Sequence, residues 1–410
     1  MRKKYGIFIV ILIILLAGFV VTLLNRFYSF DYLYNSIIKR DFAVNPRVEI
    51  NPEKEYKVRI WHHPFYRMIK ESDEKEFFEL LKKEVNKFYP NIKLFIGEVD
   101  FTTGNERLQK AIKDGVPPDI YFNLTDQNII NEKLQIPVSP YINSIEKEGF
   151  YTINWNQISH RDKLWGWPIL VYKQYWVANT GLGLERYQSV DFLRKLSYLK
   201  KNTLLLNYYD ETLLRQLLTL AGLDTFKLEK KELDIDSYRA LEEVFNLLYS
   251  LRHKEIIYGQ KDEMPKIFLK QLLEDESVVI GPVNLYLSSF LNKKLNKSSI
   301  LQLDNLVKTY KLNIFRQKKY KGDDHTRAVM EVARLISEKL SPVLAEDLNI
   351  STAYIPVVEG SGMENGVLGA QEILEIRPEY KKYWDEVVMT LWYDFWEENL
   401  KPEEVMSNLR

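Results

Sequence analysis

Residues 56–122 alternate between short apolar runs typical of β-strands and longer segments with the period of amphipathic helices. No other feature of the sequence constrains the fold as much. The strand-like runs are 57–61, 92–96 and 119–122. The helical segments between them are 73–88 and 105–114, and the second ends at Gly115, a residue typical of helix C-caps. This order predicts a parallel sheet with right-handed crossovers.

A second series of the same kind follows residue 168. Its strand-like runs are 172–179, 203–206 and 277–280. Its helical segments are 191–200, 212–221, 236–251 and 265–273, with two more at 326–340 and 383–399. A chain of 410 residues has the length of two or three domains at about 150 residues each. We therefore expect an α/β fold with two lobes whose strands are interleaved along the sequence.

Residues 1–24 predict a transmembrane signal-anchor. Arg2, Lys3 and Lys4 precede an uncharged apolar run from Ile7 to Leu24, and such a helix would span about 27 Å, close to the hydrocarbon core of a bilayer. No small-residue cleavage site follows, although a cleaved signal peptide remains the alternative. The basic residues favour an N-terminus inside. We expect a single-pass protein of the cell membrane with its soluble part on the extracellular side.

Residues 25–55 show no sustained period and contain Pro46 and Pro52. This pattern predicts a stalk or linker, with some local helix around Tyr32 to Arg40.

Charge and composition exclude several classes of function. The chain has 57 Lys and Arg against 57 Asp and Glu, and this neutral balance argues against a nucleic-acid partner. The absence of cysteine excludes disulfide scaffolds, Cys-ligated zinc and thiol catalysis. Five histidines leave little material for a metal site, and no nucleotide-binding or serine-hydrolase motif occurs. We expect no metal, no cofactor and no enzymatic activity.

Polar and aromatic side chains follow the predicted strands, where the ligand crevice of an open parallel sheet lies. After the first series of strands come His62, His63, Phe65, Asn123 and Thr125. After the second come Asn207, Tyr208, Tyr209, Glu211, Gly281 and Asn284. Rings stack on the apolar face of a sugar, and planar polar groups bind its hydroxyls. The mixture is therefore typical of a site for a polyhydroxylated ligand.

Some of these residues have a second interpretation. Adjacent strand residues point to opposite faces, so His62 and His63 are not expected to share a metal ion. Asp210 and Glu211 are either a catalytic pair or, as adjacent acids at a helix start more often are, helix-capping residues. Trp167 either stacks on a ligand or packs between the lobes.

Six segments together resemble the extracellular solute-binding proteins of ATP-driven importers, in the sugar-type group (family 1-like). The resembling segments are 58–61, 114–122, 134–137 with 141–142, 164–168, 279–282 and 353–356. The Gly-x-Pro-Pro-Asp-Ile element at 115–120 is the most specific of them. The resemblance extends over residues 56–400.

The resemblance implies a two-lobed, periplasmic-binding-protein-like fold of type II. Lobe one would comprise 56–172 and 309–345, and lobe two 173–308 and 346–410. It also implies a monomer that encloses a small solute, most often a carbohydrate, between the lobes and passes it to ABC permease subunits. Trp167, Tyr172 and Tyr354, in or beside the resembling segments, complete the candidate site.

Two departures from the pattern put the identity of the sugar in question. Ala178-Asn179 stands where members often carry Tyr-Asn, and Val283 stands where a stacking Trp is common. A peptide or a polyol therefore stays open as the solute. The alternatives in function are a ligand-sensing module for a membrane receptor kinase and a carbohydrate-active enzyme.

Overall fold

The computed structural model describes most of the chain's predicted strands and helices. The described residues are 18, 22, 26–64, 71–100, 103–124, 131, 133–150, 155, 158–178, 204–206, 211–221, 223, 233–254, 257–259, 279–283, 306–348, 351–353, 371–372 and 382–409. The helices expected at 191–200 and 265–273 lie outside these residues.

Of the apolar run from Ile7 to Leu24, the structure describes Gly18 and Thr22. Both are helical, and the Thr22 hydroxyl donates to the Gly18 carbonyl at 2.8 Å. Within the described residues, no helix has both the length and the apolar character that crossing a bilayer requires. The transmembrane helix stays a prediction.

The segment before the first strand lies against the rest of the chain. It opens with helix α1 (Phe30–Leu33), continued by a π-helical turn, Tyr34–Lys39, where the sequence predicted local helix. Farther along, Asn45 is buried, and Val44 and Ile50 pack on the adjacent core. The stalk expected at 25–55 is therefore docked along its second half.

Three parallel strands begin the sheet: β1 (Tyr56–His62), β2 (Ile92–Glu98) and β3 (Ile120–Asn123). They are connected by α2 (Glu71–Phe88) and α3 (Gly104–Asp114). Gly115 ends α3 with a left-handed φ of 78°, and its N–H donates to the carbonyls of Ala111 and Ile112. The predicted strand–helix alternation is confirmed here.

Short elements follow β3. They are helix α4 (Ser144–Glu148) and a hairpin of β4 (Ser159–His160) and β5 (Lys163–Leu164). A capping box starts α4, since the Asn143 side chain accepts from the N–H of Glu146 and the Glu146 carboxylate accepts from the N–H of Asn143.

A long strand, β6 (Trp167–Ala178), leads into a second group of elements. It starts five residues earlier than predicted. The group contains β7 (Leu204–Leu206), α5 (Glu211–Leu220), α6 (Ile235–His253), β8 (Ile257–Gly259) and β9 (Val279–Val283). Strand β7 pairs in parallel with β8 and β9.

The strand β10 (Leu306–Ile314) runs antiparallel to both β3 and β6. The sheet order is β2-β1-β3-β10-β6-β9-β7-β8, so β6 and β10 join the two groups of parallel strands. We call the part around β1–β3 lobe one and the part around β7–β9 lobe two.

The C-terminal elements return to both lobes. They are α7 (Asp323–Leu335) with a π-helical turn (Ile336–Leu340), α8 (Ser341–Leu348), the short strands β11 (Ser351–Thr352) and β12 (Gln371–Glu372), a second π-helical turn (Trp384–Val388), α9 (Met389–Glu397) and α10 (Pro402–Leu409). Residues of α7 and α8 belong to the core of lobe one, and α9 and α10 pack with α5 and α6 in a separate core of lobe two.

Candidate functional site

The carboxyl ends of β1 and β3 lie at the same end of the lobe-one sheet. There β3 pairs with β10, which with β6 forms the crossing strands that join the lobes. The register places five residues in one row across four pairings: Glu98, His62, Phe122, Leu312 and Trp167. The next row contains Asn123, Lys311 and Pro168. The sheet therefore brings His62, Asn123 and Trp167, far apart in sequence, onto neighbouring rows where the chain crosses between lobes.

His62 lies on the face of the sheet that α2 covers. Its ring is 4.3 Å from that of Phe78, and its Nδ1 is 2.9 Å from the carbonyl oxygen of His63 and 3.4 Å from Oε1 of Glu74. Because a carbonyl can only accept, Nδ1 carries the proton. Burial lowers the pKa of His62 to about 4, so the ring is neutral at neutral pH.

His63 lies on the opposite face, as expected for adjacent strand residues. Its Nε2 is 2.6 Å from the Tyr121 hydroxyl, which donates to Oδ1 of Asn105 at 3.0 Å, so Nε2 donates to Tyr121. Burial also lowers the pKa of His63 to about 4. A Cβ on Gly104 would come within 2.8 Å of the His63 ring, so the glycine at the start of α3 leaves room for this histidine.

Three further candidates, Asn123, Trp167 and Tyr172, are buried in lobe one. The Trp167 ring is 1% exposed, and its Nε1 has no hydrogen-bond partner among the described residues. Tyr172 is 2% exposed and lies 6.5 Å from the Tyr310 ring. Both rings belong to the lobe-one core, and neither presents an exposed face in this structure.

The candidates of lobe two are described through their backbone. Glu211 is the first residue of α5, the helix-start position expected for it. Gly281 lies within β9 and pairs with Leu206, the last residue of β7. The remaining candidates fall outside the described residues: Phe65, Thr125, Asn207, Tyr208, Tyr209, Asn284 and Tyr354.

Sequence reasoning missed two lysines at the crossing. Lys308 and Lys311 of β10 are both buried, and Lys311 lies beside Asn123 in the register. The loop before β6 passes close to the backbone of β10 at Gly166. The φ of this glycine is 149°, and an added Cβ would meet the Leu312 carbonyl oxygen at 2.7 Å. Charged residues inside a strand-like run are a signal for such a position, because burial of a lysine is rare without a specific environment.

A separate polar cluster lies at the opposite end of β3. The buried Asp119 carboxylate accepts from Lys321 Nζ at 2.9 Å and from the Arg59 backbone N–H at 2.9 Å, and it lies 3.2 Å from Nε2 of His325. Burial acts to raise the pKa of Asp119, but hydrogen bonds and nearby positive charge outweigh it and hold this pKa below its ordinary value. The cluster joins β3 to α7 and lies at the other end of β3 from the crossing.

The chain thus has two lobes that are joined by β6 and β10. No protein-family model matches the sequence, and no curated protein matches it. Solved structures match nearly the whole chain.

One is the GacH receptor of Streptomyces glaucescens, at 13% identity over 87% of this chain and 96% of that one, with a TM-score of 0.63. Another is the maltose/maltodextrin-binding domain MalE from Bdellovibrio bacteriovorus, at 14% identity over 86% and 97%, with a TM-score of 0.63. A third is an ABC transporter solute-binding protein from Thermotoga lettingae, at 12% identity over 87% and 98%, with a TM-score of 0.62. These structures establish the two-lobed fold of the chain.

Proposed function

We propose that the protein is a membrane-tethered, extracellular solute-binding protein. It captures a small carbohydrate in the cleft between its lobes and delivers it to an ABC importer. It acts as a monomer that binds its solute without chemical conversion.

One observation carries the proposal: the match to solved sugar-binding proteins extends over 86–87% of this chain and 96–98% of theirs. The GacH receptor was solved with acarbose, the Bdellovibrio domain with maltotriose and the Thermotoga protein with D-tagatose. A match of this extent includes both lobes and the crossing strands, which together form the ligand cleft.

The described candidates support the cleft from beneath. His62, Asn123 and Trp167 are buried at its lobe-one edge, where they fix the strand ends from which the next loop residues emerge. Direct contacts then come from residues just beyond the strand ends. In lobe two these are Asn207, Tyr208 and Tyr209, which follow the last residue of β7.

The proposed membrane arrangement follows from the sequence. The apolar run Ile7–Leu24 would anchor the chain in the cell membrane with both lobes outside. Such a tether raises the local concentration of the binder at its permease without any new contact. Lobe one of the binding protein would comprise residues 56–172 and 309–345. Lobe two would comprise residues 173–308 and 346–410.

A thermal-shift screen of the full chain in detergent, against mono- and oligosaccharides, tests the binding function. A sugar at a hundred times its dissociation constant should stabilise the folded state by about 2.7 kcal/mol. Calorimetric titration of the sugar that gives the largest shift then yields its affinity.

Matched variants test the cleft. The double variant Tyr208→Ala with Tyr209→Ala should lose the sugar-dependent shift in melting temperature, since stacking rings supply much of a sugar's contact area. Phe95→Ala, at an exposed ring on β2, should keep it. A panel without any stabilising sugar would overturn the proposed function, and unchanged affinity in the double variant would overturn the placement of the cleft.

A further inference from the structure

The helix that precedes the first strand turns its apolar side outward. Along the helix Phe30–Lys39, the most exposed apolar side chains recur three to four residues apart. Their exposed fractions are Phe30 75%, Tyr34 42%, Ile37 63% and Ile38 67%, and Phe27, just before the helix, is 57% exposed. Surface helices of globular proteins normally place their apolar stripe toward the core. Here the stripe faces away from the protein.

The other side of the same helix is more polar and partly buried. Ser29, Tyr32, Leu33 and Ser36 lie on it. The Ser29 hydroxyl accepts from the Tyr32 N–H at 3.1 Å, and the Ser36 hydroxyl donates to the Tyr32 carbonyl at 2.5 Å. The polarity of this helix is therefore inverted relative to one that packs on a protein core, and its outer side suits an apolar medium.

The position of this helix in the chain indicates what that medium is. The apolar run ends at Leu24, and Phe30 follows six residues later. Even fully extended, six residues reach about 20 Å, so the helix cannot lie farther than that from the end of the predicted span. Cations accompany the rings, with Arg26 5.9 Å from the Phe27 centroid and Lys39 5.3 Å from that of Tyr34. Aromatic rings beside basic side chains are typical of the interface between acyl chains and headgroups.

The helix is also connected to lobe one. The Asn45 side chain donates to the Phe27 carbonyl at 2.8 Å, and Asn45 is buried. Farther along, Phe42 packs edge-on against Tyr320 at 5.0 Å and lies under the Arg316 guanidinium at 3.8 Å. Whatever holds the outer side of the helix therefore also holds lobe one.

We propose that the helix Phe30–Lys39 lies in the outer interface of the bilayer, with its Phe30, Ile37 and Ile38 side against the upper segments of the acyl chains, next to the headgroups. Lobe one is then held in one orientation on the membrane, and lobe two is free to move toward lobe one. This inference rests on the proposed anchor at Ile7–Leu24.

Because the chain contains no cysteine, single-cysteine variants report each position without background. Ile37→Cys and Phe30→Cys test the outer side, while Glu53→Cys and Lys113→Cys, exposed positions on the body of lobe one, serve as controls. Each full-length variant carries a nitroxide label in vesicles of phosphatidylcholine and phosphatidylglycerol. Collision rates with oxygen and with a water-soluble nickel chelate are then measured.

At positions 37 and 30, the oxygen-to-nickel collision ratio should be several-fold higher than at 53 and 113. Equal ratios at all four positions, in chains that resist extraction from the vesicles by carbonate, would overturn the inference and leave the anchor intact. If the label at position 37 is shielded from the nickel chelate only at a high protein-to-lipid ratio, the apolar side binds a second copy of the chain. That result also overturns the inference. Extraction of the chain by carbonate would refute the anchor itself, and sugar binding by the same samples reports separately on the binding function.

A second variant tests orientation. Ile37→Glu with Ile38→Glu should lower the energy-transfer efficiency between a fluorophore at Lys113→Cys and headgroup-labelled lipid, or broaden its distribution, because lobe one loses its contact with the interface. Ile37→Leu with Ile38→Leu should leave it unchanged. The same efficiency in both double variants would overturn the inference.

Discussion

Lobe one and lobe two share one sheet but stabilise their cores differently. Lobe one packs helices on a sheet and buries ionisable groups, including His62, His63 and Asp119. In lobe two, the described side chains of α5, α6, α9 and α10 form a core with a cluster of rings, in which the Trp392 ring centroid lies 6.2 Å from that of Phe395 and 5.4 Å from that of Trp396. A fall in pH should therefore act on lobe one through its buried ionisable groups, whereas loss of the Trp392 ring should act on the core of lobe two.

The largest effect of a single substitution is expected from Trp392→Ala. Removing a fully buried indole leaves a cavity and should cost about 3–5 kcal/mol of the free energy of unfolding. Denaturant unfolding monitored by hydrogen exchange should show lower protection of the amides in α6 and α9 of lobe two. Phe95→Ala, at an exposed ring, should change stability by about 0.5 kcal/mol or less. An equal loss of protection in β1 and β3 would contradict the separation of the two cores.

The second effect is a loss of stability of lobe one at acidic pH. Burial lowers the pKa of His62 and of His63 to about 4 in the folded state, against an ordinary value of 6.5. Between these values the unfolded chain binds more protons, so stability falls as the pH drops from about 7 to 4, by up to about 3 kcal/mol per histidine. Asp119, whose pKa is lowered, adds a loss below about pH 4 as it becomes protonated.

Denaturant titrations at pH 7.5, 5.5 and 4.5 measure this slope. His62→Gln should flatten it, while His253→Gln, at an exposed position in lobe two, should leave it unchanged. A slope that survives loss of both His62 and His63 would remove the histidines as its source.

The smallest effect is expected from Gly104→Ala. The added Cβ would approach the His63 ring to 2.8 Å and the Val99 side chain to 3.1 Å. Because His63 is fully buried and hydrogen-bonded to Tyr121, it cannot move without cost, so we expect a loss of about 1–3 kcal/mol.

Gly97→Ala is the matched control, since its Cβ would meet the Trp61 ring only at 3.5 Å, an ordinary contact. Its unfolding midpoint should stay near that of the unchanged chain. Equal midpoints for the two variants would show that His63 is not held as the structure places it.

Much of the fold could be predicted from the sequence because its elements are local. The helix ending at Gly115 and the strand leading to Asn123 appear within two residues of their expected bounds. Strand β10 was not found from periodicity, since Lys308 and Lys311 interrupt its apolar pattern. Only pairing with β3 and β6 on both sides makes that segment a central strand.

The sequence predicted where His62, His63 and Asn123 lie in the sheet more closely than it predicted what these side chains contact. His62, His63 and Asn123 do lie at one edge of the sheet, as residues after parallel strands should. Their burial, and that of Trp167, depends on helices α2 and α3 and on the crossing strands covering them. No spacing in the sequence reports which side chains a distant element covers.

The order of strands and helices follows from local sequence, because side-chain periods of about 2 and 3.6 residues are local properties. The chemical character of the residues at the strand ends is equally evident from the sequence. Three features depend on folding instead: β10 and β6 join the lobes, the apolar side of Phe30–Lys39 faces outward, and Trp167 belongs to a core. Each of these depends on contacts between residues far apart in the chain, whose free energy appears only when the chain has folded.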